Sequence, residues 1–223
     1  MEDAPVTPVD AVAFDVNETL FALDPLGPAF ARVGLDSGLV PLWFAALLRD
    51  GFALTALGGY RPFAELAAET LRGLDPRVDD AAVRTVMGAM RELAPHPDVE
   101  PALRALHEAG VPVVTLTNGG ADLVHTLLER AGLAGLVAAN LSVDAVRRWK
   151  PAPEPYLHAA TELGVEPARL ALVAVHPWDC AGAAAAGLHA AWVMRSHTRW
   201  PAMFPEPAVR GADLHAVVRQ LIS

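Results

Sequence analysis

Asp15 ends the apolar run Val9-Asp10-Ala11-Val12-Ala13-Phe14 and opens Asp15-Val16-Asn17-Glu18-Thr19-Leu20. A carboxylate at the C-terminal end of a first strand stands where open α/β sheets bind ligands. Alone it is equally an ordinary turn cap. Three later segments also set polar groups at or just after apolar runs. Thr115-Leu116-Thr117-Asn118-Gly119-Gly120 brings hydroxyls, an amide and two glycines, so backbone N–H groups can approach an anion closely. Arg147-Arg148-Trp149-Lys150-Pro151 brings a lysine before a proline-rich loop, and Val175-His176-Pro177-Trp178-Asp179 brings a second carboxylate. Singly these are weak signals: Asn-Gly marks turns, and most lysines are solvated. Two carboxylates and a lysine converging on one cleft separate a nucleophile from a base.

Strands and helices must bring them together. Val9–Phe14, Val111–Leu116, Leu170–Val175 and Ala190–Val193 read as buried strands, with Leu136–Leu141 a weaker one. Helical patterns alternate with them: Glu100–Ala109 stops at Gly110, Asp122–Ala131 at Gly132, and Pro155–Leu163 at Gly164. That alternation predicts an α/β fold, a Rossmann-like parallel sheet with helices on both faces. Residues 23–97 break the rhythm. Leu39–Leu48, Phe63–Leu74 and Asp79–Leu93 read as helices separated by Gly51, Gly58-Gly59 and Asp75-Pro76. The expected organisation is a core of residues 1–22 and 98–223 with an all-helical cap, 23–97, inserted after the first strand. The Ala183–Ala186 run suits a helix packed closely on the sheet.

The chain has 223 residues and a net charge of −9, so a basic nucleic-acid surface is not expected. No stretch reads as long and apolar enough to span a bilayer, and Met1–Val9 lacks the basic start and apolar run of a signal peptide. The single Cys180 cannot form an internal disulfide, so a cytoplasmic location is the default. An acidic chain acting on anions needs its positive charge and backbone N–H groups gathered inside the cleft.

The four segments, in this order, resemble the four motifs of the haloacid dehalogenase superfamily, and the resemblance spans essentially the whole chain. Trp178-Asp179-x-x-Gly182-Ala183, and Lys150-Pro151 with Tyr156 following, are similar to the type II 2-haloacid dehalogenases. Phosphatases of the superfamily carry a second Asp two residues after the nucleophile, as acid for the leaving alkoxide. Asn17 stands there in this chain. A halide leaves without protonation, so carbon–halogen chemistry has no need of that acid. The resemblance implies that Asp15 attacks the halogen-bearing carbon of a small 2-haloacid and that Asp179 orients the water that hydrolyses the resulting ester. It implies that Lys150 keeps Asp15 ionised. Thr117 and nearby N–H groups would hold the substrate carboxylate; Thr19, Asn118 and Tyr156 would shape the site, and Trp178 would wall it. No cofactor and no metal are expected, and a homodimer is implied by the resemblance alone.

Two positions depart from these relatives. An Arg follows the cap tryptophan there and receives the halide, whereas Phe44 follows Trp43 here. Arg49 is either its substitute or a solvated helix-end cation. Two residues before the tryptophan of the fourth motif those enzymes carry Asn, and this chain has His176, either orienting water and sensing pH or held structurally. His96, His107, His125 and His158 lack metal-ligand spacing and read as surface, Cys180 as packing, and Trp43, Phe44, Phe52, Tyr60 and Phe63 mostly as cap core. The alternatives are a magnesium-dependent small-molecule phosphatase of the same superfamily and a binding protein that kept the fold without turnover. The presence of Asp15 and Lys150 argues against the last.

Overall fold

A computed structural model describes residues 9–195 and 199–223. The acidic, proline-containing start of the chain, residues 1–8, lies outside them. Six parallel strands form one sheet in the order β3-β2-β1-β4-β5-β6, with β1 Ala11–Phe14, β2 Val113–Thr117, β3 Ala139–Ser142, β4 Leu170–Ala174, β5 His189–Val193 and β6 Val209–Gly211. Successive side chains on a strand point to opposite faces, and the apolar residues divide accordingly. Val12, Phe14, Val113 and Val173 enter one core with α5 (Val99–Glu108), α6 (Ala121–Arg130) and α9 (Leu214–Leu221). Ala11, Ala13, Leu116 and Leu172 enter the other with α7 (Pro153–Leu163) and α8 (Pro177–Ala185). The expected strands all form, and the edge strand β3 starts later than expected. Gly110, Gly132 and Gly164 take positive φ just past their helices, as the stop signals required.

Between β1 and α5 the chain forms helices and no named strand: α1 (Leu26–Arg32), α2 (Val40–Ala56), α3 (Phe63–Arg72) and α4 (Asp80–Ala89). Phe21 bridges Pro95, and Ala22 N donates to Ala94 O at 3.0 Å, so the chain leaves and re-enters the sheet side by side. Helix α2 runs eight residues beyond the expected end at Leu48, straight through Gly51. The glycine is there for packing: a Cβ on it would lie 2.4 Å from Cε3 of Trp149, whose indole lies against the helix. Because the helix is continuous, the stretch Ser37–Ala56, 20 residues, is long and apolar enough by length and composition to cross a membrane. That overturns the expectation that no such stretch exists. Trp43, Phe44, Leu47 and Leu48 of this helix are buried in the protein.

Helices α1 and α9 and strand β6 carry no expectation from sequence, and α8 begins well before the Ala183–Ala186 run expected to be helical. Helix α8 starts immediately after His176, inside the fourth motif, where the polar signal obscured the helical one. For α9 the signals were present: the Asp213 carboxylate accepts from Ala216 N at 2.7 Å, and Leu214, Val217, Val218 and Leu221 are buried on one face.

Candidate active site

Asp15 follows β1, and its N–H donates to Val173 O of the neighbouring strand at 3.0 Å. The chain then turns back sharply, with Leu20 N and Phe21 N both donating to Val16 O and Glu18 N to Phe21 O. This turn puts Glu18 at φ +63°, a conformation uncommon for a non-glycine residue. It also buries Thr19, whose hydroxyl donates to Asp15 Oδ2 at 2.7 Å and accepts from Val175 N at 3.0 Å. The first and fourth motifs are thereby tied together through one side chain.

Lys150 is wholly buried. Its three N–H bonds are all used, on Asp15 Oδ1 at 2.9 Å, Asp179 Oδ2 at 2.6 Å and Leu116 O at 2.8 Å. Asn118 fixes the lysine backbone by accepting from Lys150 N at 2.9 Å. Tyr156 donates to the other Asp179 oxygen at 2.6 Å. Gly182 permits this closeness, since a Cβ there would lie 2.7 Å from the Tyr156 hydroxyl.

Burial alone would raise the Asp15 carboxyl, but the Lys150 ammonium, the His176 ring and the Thr19 hydroxyl outweigh it and hold Asp15 below the usual carboxylate range. For Asp179 burial prevails and, helped by the Asp15 charge, pushes the group up despite Lys150. Burial would lower Lys150, yet the two carboxylates raise it. The two carboxyl groups are thus pushed in opposite directions, the separation that distinguishes a nucleophile from its partner.

His176 occupies the last position before α8 and is buried. Its Nδ1 lies 3.2 Å from Asp15 Oδ2 and its Nε2 2.9 Å from Glu18 Oε2. Burial would lower the imidazole, but hydrogen bonds and charge from Asp15 and Glu18 push it up to about 9. The ring packs between Trp178 (centroids 5.1 Å apart) and Phe44 (6.4 Å). Trp178 in turn meets Phe52 of α2 edge-on at 4.8 Å. A cavity of about 500 Å³ opens beside this cluster, lined by Glu18, Leu23, Ser37, Val40, His96 and Arg195 among others.

Asp15, Thr19, Lys150, Tyr156, His176 and Asp179 therefore meet as one hydrogen-bonded cluster, with Trp178 against His176. Thr117 and Asn118 are buried at the end of β2, though their polar atoms serve the protein itself. The Thr117 hydroxyl oxygen accepts from Gly119 N at 2.9 Å, and the Asn118 amide oxygen accepts from Lys150 N at 2.9 Å. Arg49 does not join them. Its side chain is 71% exposed and its Nε donates to Asp50 at 2.7 Å, so it is a solvated helix cation and not a halide ligand. Helical periodicity accounts for this, because Trp43, Phe44, Leu47, Leu48 and Gly51 take the inward face of α2. His96 is half-buried rather than superficial, with Nε2 3.0 Å from Glu18 O.

Three residues given no role from sequence matter here. Glu18 is the second partner of His176, and only its place within the first motif hinted at it. Arg195 lines the cavity and holds the Asp15 turn from behind, donating to Thr19 O at 3.0 Å and to Asp98 at 2.8 Å. Trp149 seats the inserted helices beside Lys150: its indole donates to Arg61 O at 3.0 Å, its N–H donates to Thr55 Oγ1 at 3.1 Å, and Phe63 stacks on its ring.

Known proteins resemble this chain in sequence and fold. Residues 9–187 match the model of the haloacid dehalogenase-like hydrolases. The chain is 28% identical over 193 residues to a haloacetate dehalogenase of Moraxella sp. (strain B), covering 84% of this chain and 86% of that protein. A solved L-2-haloacid dehalogenase superposes with a TM-score of 0.89 at 30% identity, covering 97% of this chain and all of the other. Another, from Xanthobacter autotrophicus with chloropropionic acid covalently bound, superposes at 0.86 and 26% identity, covering 95% of this chain and 97% of that one. With the buried Asp15–Lys150–Asp179 cluster at the strand ends and a family match running through all four motifs, the chain belongs to the haloacid dehalogenase-like hydrolases.

Proposed function

We propose that the chain hydrolyses short 2-haloalkanoic acids through an ester formed on Asp15. The observation that carries this is the state of Asp15: a buried carboxylate kept ionised by Lys150, with Asn17 where an alkoxide-leaving reaction would need an acid. An anionic oxygen displaces halide from carbon without help from a proton donor. The names of the relatives, a haloacetate and two L-2-haloacid dehalogenases, support the substrate class. In this reading Asp15 attacks, Lys150 and Thr19 hold its two oxygens, and Asp179 with Tyr156 keeps Lys150 in place. The helices α1–α4 act as the cap over the site.

The test is halide release from chloro-, bromo- and fluoroacetate and from both 2-chloropropionate enantiomers, beside p-nitrophenyl phosphate as control. Halide from at least one haloacid is expected, and an Asp15→Asn variant should fall below about a thousandth of that rate, roughly 4 kcal/mol in barrier. Phosphate release without halide release would overturn the reading. The family likeness also supports a homodimer, which sedimentation would detect. The acidic composition and the single buried cysteine support a cytoplasmic location, which cell fractionation would test.

A further inference from the structure

A second, largely buried ion pair, Arg195 with Asp98, grips the loop that follows the nucleophile. Three successive carbonyls of that loop are held from outside it. Glu18 O lies 3.0 Å from His96 Nε2, Thr19 O accepts from Arg195 Nε at 3.0 Å, and Leu20 O accepts from His96 N at 2.9 Å. Arg195 stands two residues past β5 and uses both arms of its fork, since Nη2 donates to Asp98 Oδ1 at 2.8 Å. Asp98 is the residue before α5, where a carboxylate ordinarily accepts from the first N–H groups of the helix. It makes no such bond, and its other oxygen accepts from Leu214 N at 2.8 Å, so β5, α5 and α9 converge on this pair. Thr19 stands between Arg195 and Asp15: the guanidinium holds its carbonyl, and its hydroxyl donates to Asp15 Oδ2 at 2.7 Å. Thr19 is wholly buried, so removing the guanidinium takes the donor from a carbonyl that water does not freely reach. The left-handed backbone of Glu18, one residue earlier, is of the kind that persists only where surroundings hold it.

We propose that Arg195, anchored on Asp98, is a positioning residue for the halide-displacing step: by holding the Thr19 carbonyl it aims the Thr19 hydroxyl and so fixes the rotation of the Asp15 carboxylate. This rests on the dehalogenase reading above. Lys150 holds Oδ1 of Asp15, while Thr19 holds Oδ2 with His176 Nδ1 3.2 Å from the same oxygen. Two fixed oxygens set the plane of the carboxylate, and with it the line along which an oxygen lone pair meets the halogen-bearing carbon. Loosening Thr19 lets the carboxylate pivot on Lys150. Displacement at carbon depends on that line, and a misplacement of about 1 Å is enough to cost roughly 100-fold in rate. Binding of the haloacid is not touched, because the guanidinium is engaged by the protein's own oxygens. Only a planar fork reaches Thr19 O and Asp98 Oδ1 together, so lysine is not an equivalent at this position.

The experiment uses the full-length protein and follows halide released from haloacetate in the first turnover, over a range of substrate concentrations. Arg195→Ala should slow that release about 10- to 100-fold at saturation, with the half-saturating concentration within about twofold of wild type. Arg195→Lys keeps a cation for Asp98 without the fork. It should melt close to wild type, still release halide at least about fivefold more slowly, and decide the matter if Arg195→Ala fails to fold. Each variant is also made in a Thr19→Val background, which removes the hydroxyl and keeps the branched shape. If Arg195 acts through Thr19, its replacement should cost less than about twofold more there, because the aim it supplies is already lost. An arginine that merely supports the fold would give losses that multiply with that of Thr19→Val. Multiplying losses, or first-turnover release within about twofold of wild type in the folded Arg195 variants, overturn the proposal and leave the dehalogenase reading standing. A wild-type protein that releases no halide overturns both.

Discussion

Lys150 illustrates how one residue sets the chemistry of its neighbours. A buried ammonium is costly unless every N–H is matched, and its three partners are two carboxylates and a carbonyl. His176 follows the same logic with two carboxylates, and its folded-state elevation gives stability a pH signature. A histidine pushed up to about 9 from an ordinary 6.5 binds more protons folded than unfolded between those values. Its contribution is complete below about pH 6.5 and is lost as pH rises through about 9. Melting curves of wild type and His176→Asn should therefore converge between pH 7 and 10, and a gap that is constant or widens contradicts the assignment. Arg49 gives the opposite case. Exposed and, among the described residues, paired only with its neighbour Asp50, it should tolerate Arg49→Ala with less than about a twofold change in kcat for halide release. A loss of tenfold or more would return it to the site. Sequence left these two residues open for a shared reason: whether a side chain faces inward depends on helix phase and on what packs opposite, neither of which a motif records.

At the scale of elements, the four motif segments were legible because chemistry at a strand end demands particular residue types. Strand and helix alternation was legible through glycine stops. The run of α2 was not, because Gly51 has the form of a helix stop and the function of a contact surface. Gly51→Ala tests this. Alanine favours a helix interior by about 1 kcal/mol, but here its Cβ would enter the Trp149 indole at 2.4 Å. Overpacking costs about 1–3 kcal/mol, so a net loss of stability is expected, with a changed tryptophan emission. The displacement should pass to Lys150, one residue on, and lower kcat. A variant that melts higher with unchanged kcat would show that the indole does not bear on the helix. Strand β6 was invisible for another reason: three residues on a sheet edge carry too short a pattern to separate from a loop.

For the whole molecule, an acidic chain binds a small anion by keeping its useful cations inside. Lys150 and His176 are buried, while most of the acidic excess lies on the surface. The inserted helices close that site through contacts made next to it. Trp149 bonds the chain at Thr55 and Arg61, Phe52 meets Trp178, and Tyr60 donates to Asp144 while its ring lies under the Arg147 guanidinium. Lys150 and the Trp149 contacts that seat the inserted helices are thus neighbours in sequence. All of it depends on Asp15 forming a covalent ester, and a single turnover in ¹⁸O-labelled water with enzyme in excess over haloacetate tests that most directly. Hydrolysis at the Asp15 carboxyl carbon puts the label into Asp15 and leaves the first hydroxy acid unlabelled. Label in that first product, with none in the protein, would mean that water attacks the substrate directly and that Asp15 is not the nucleophile.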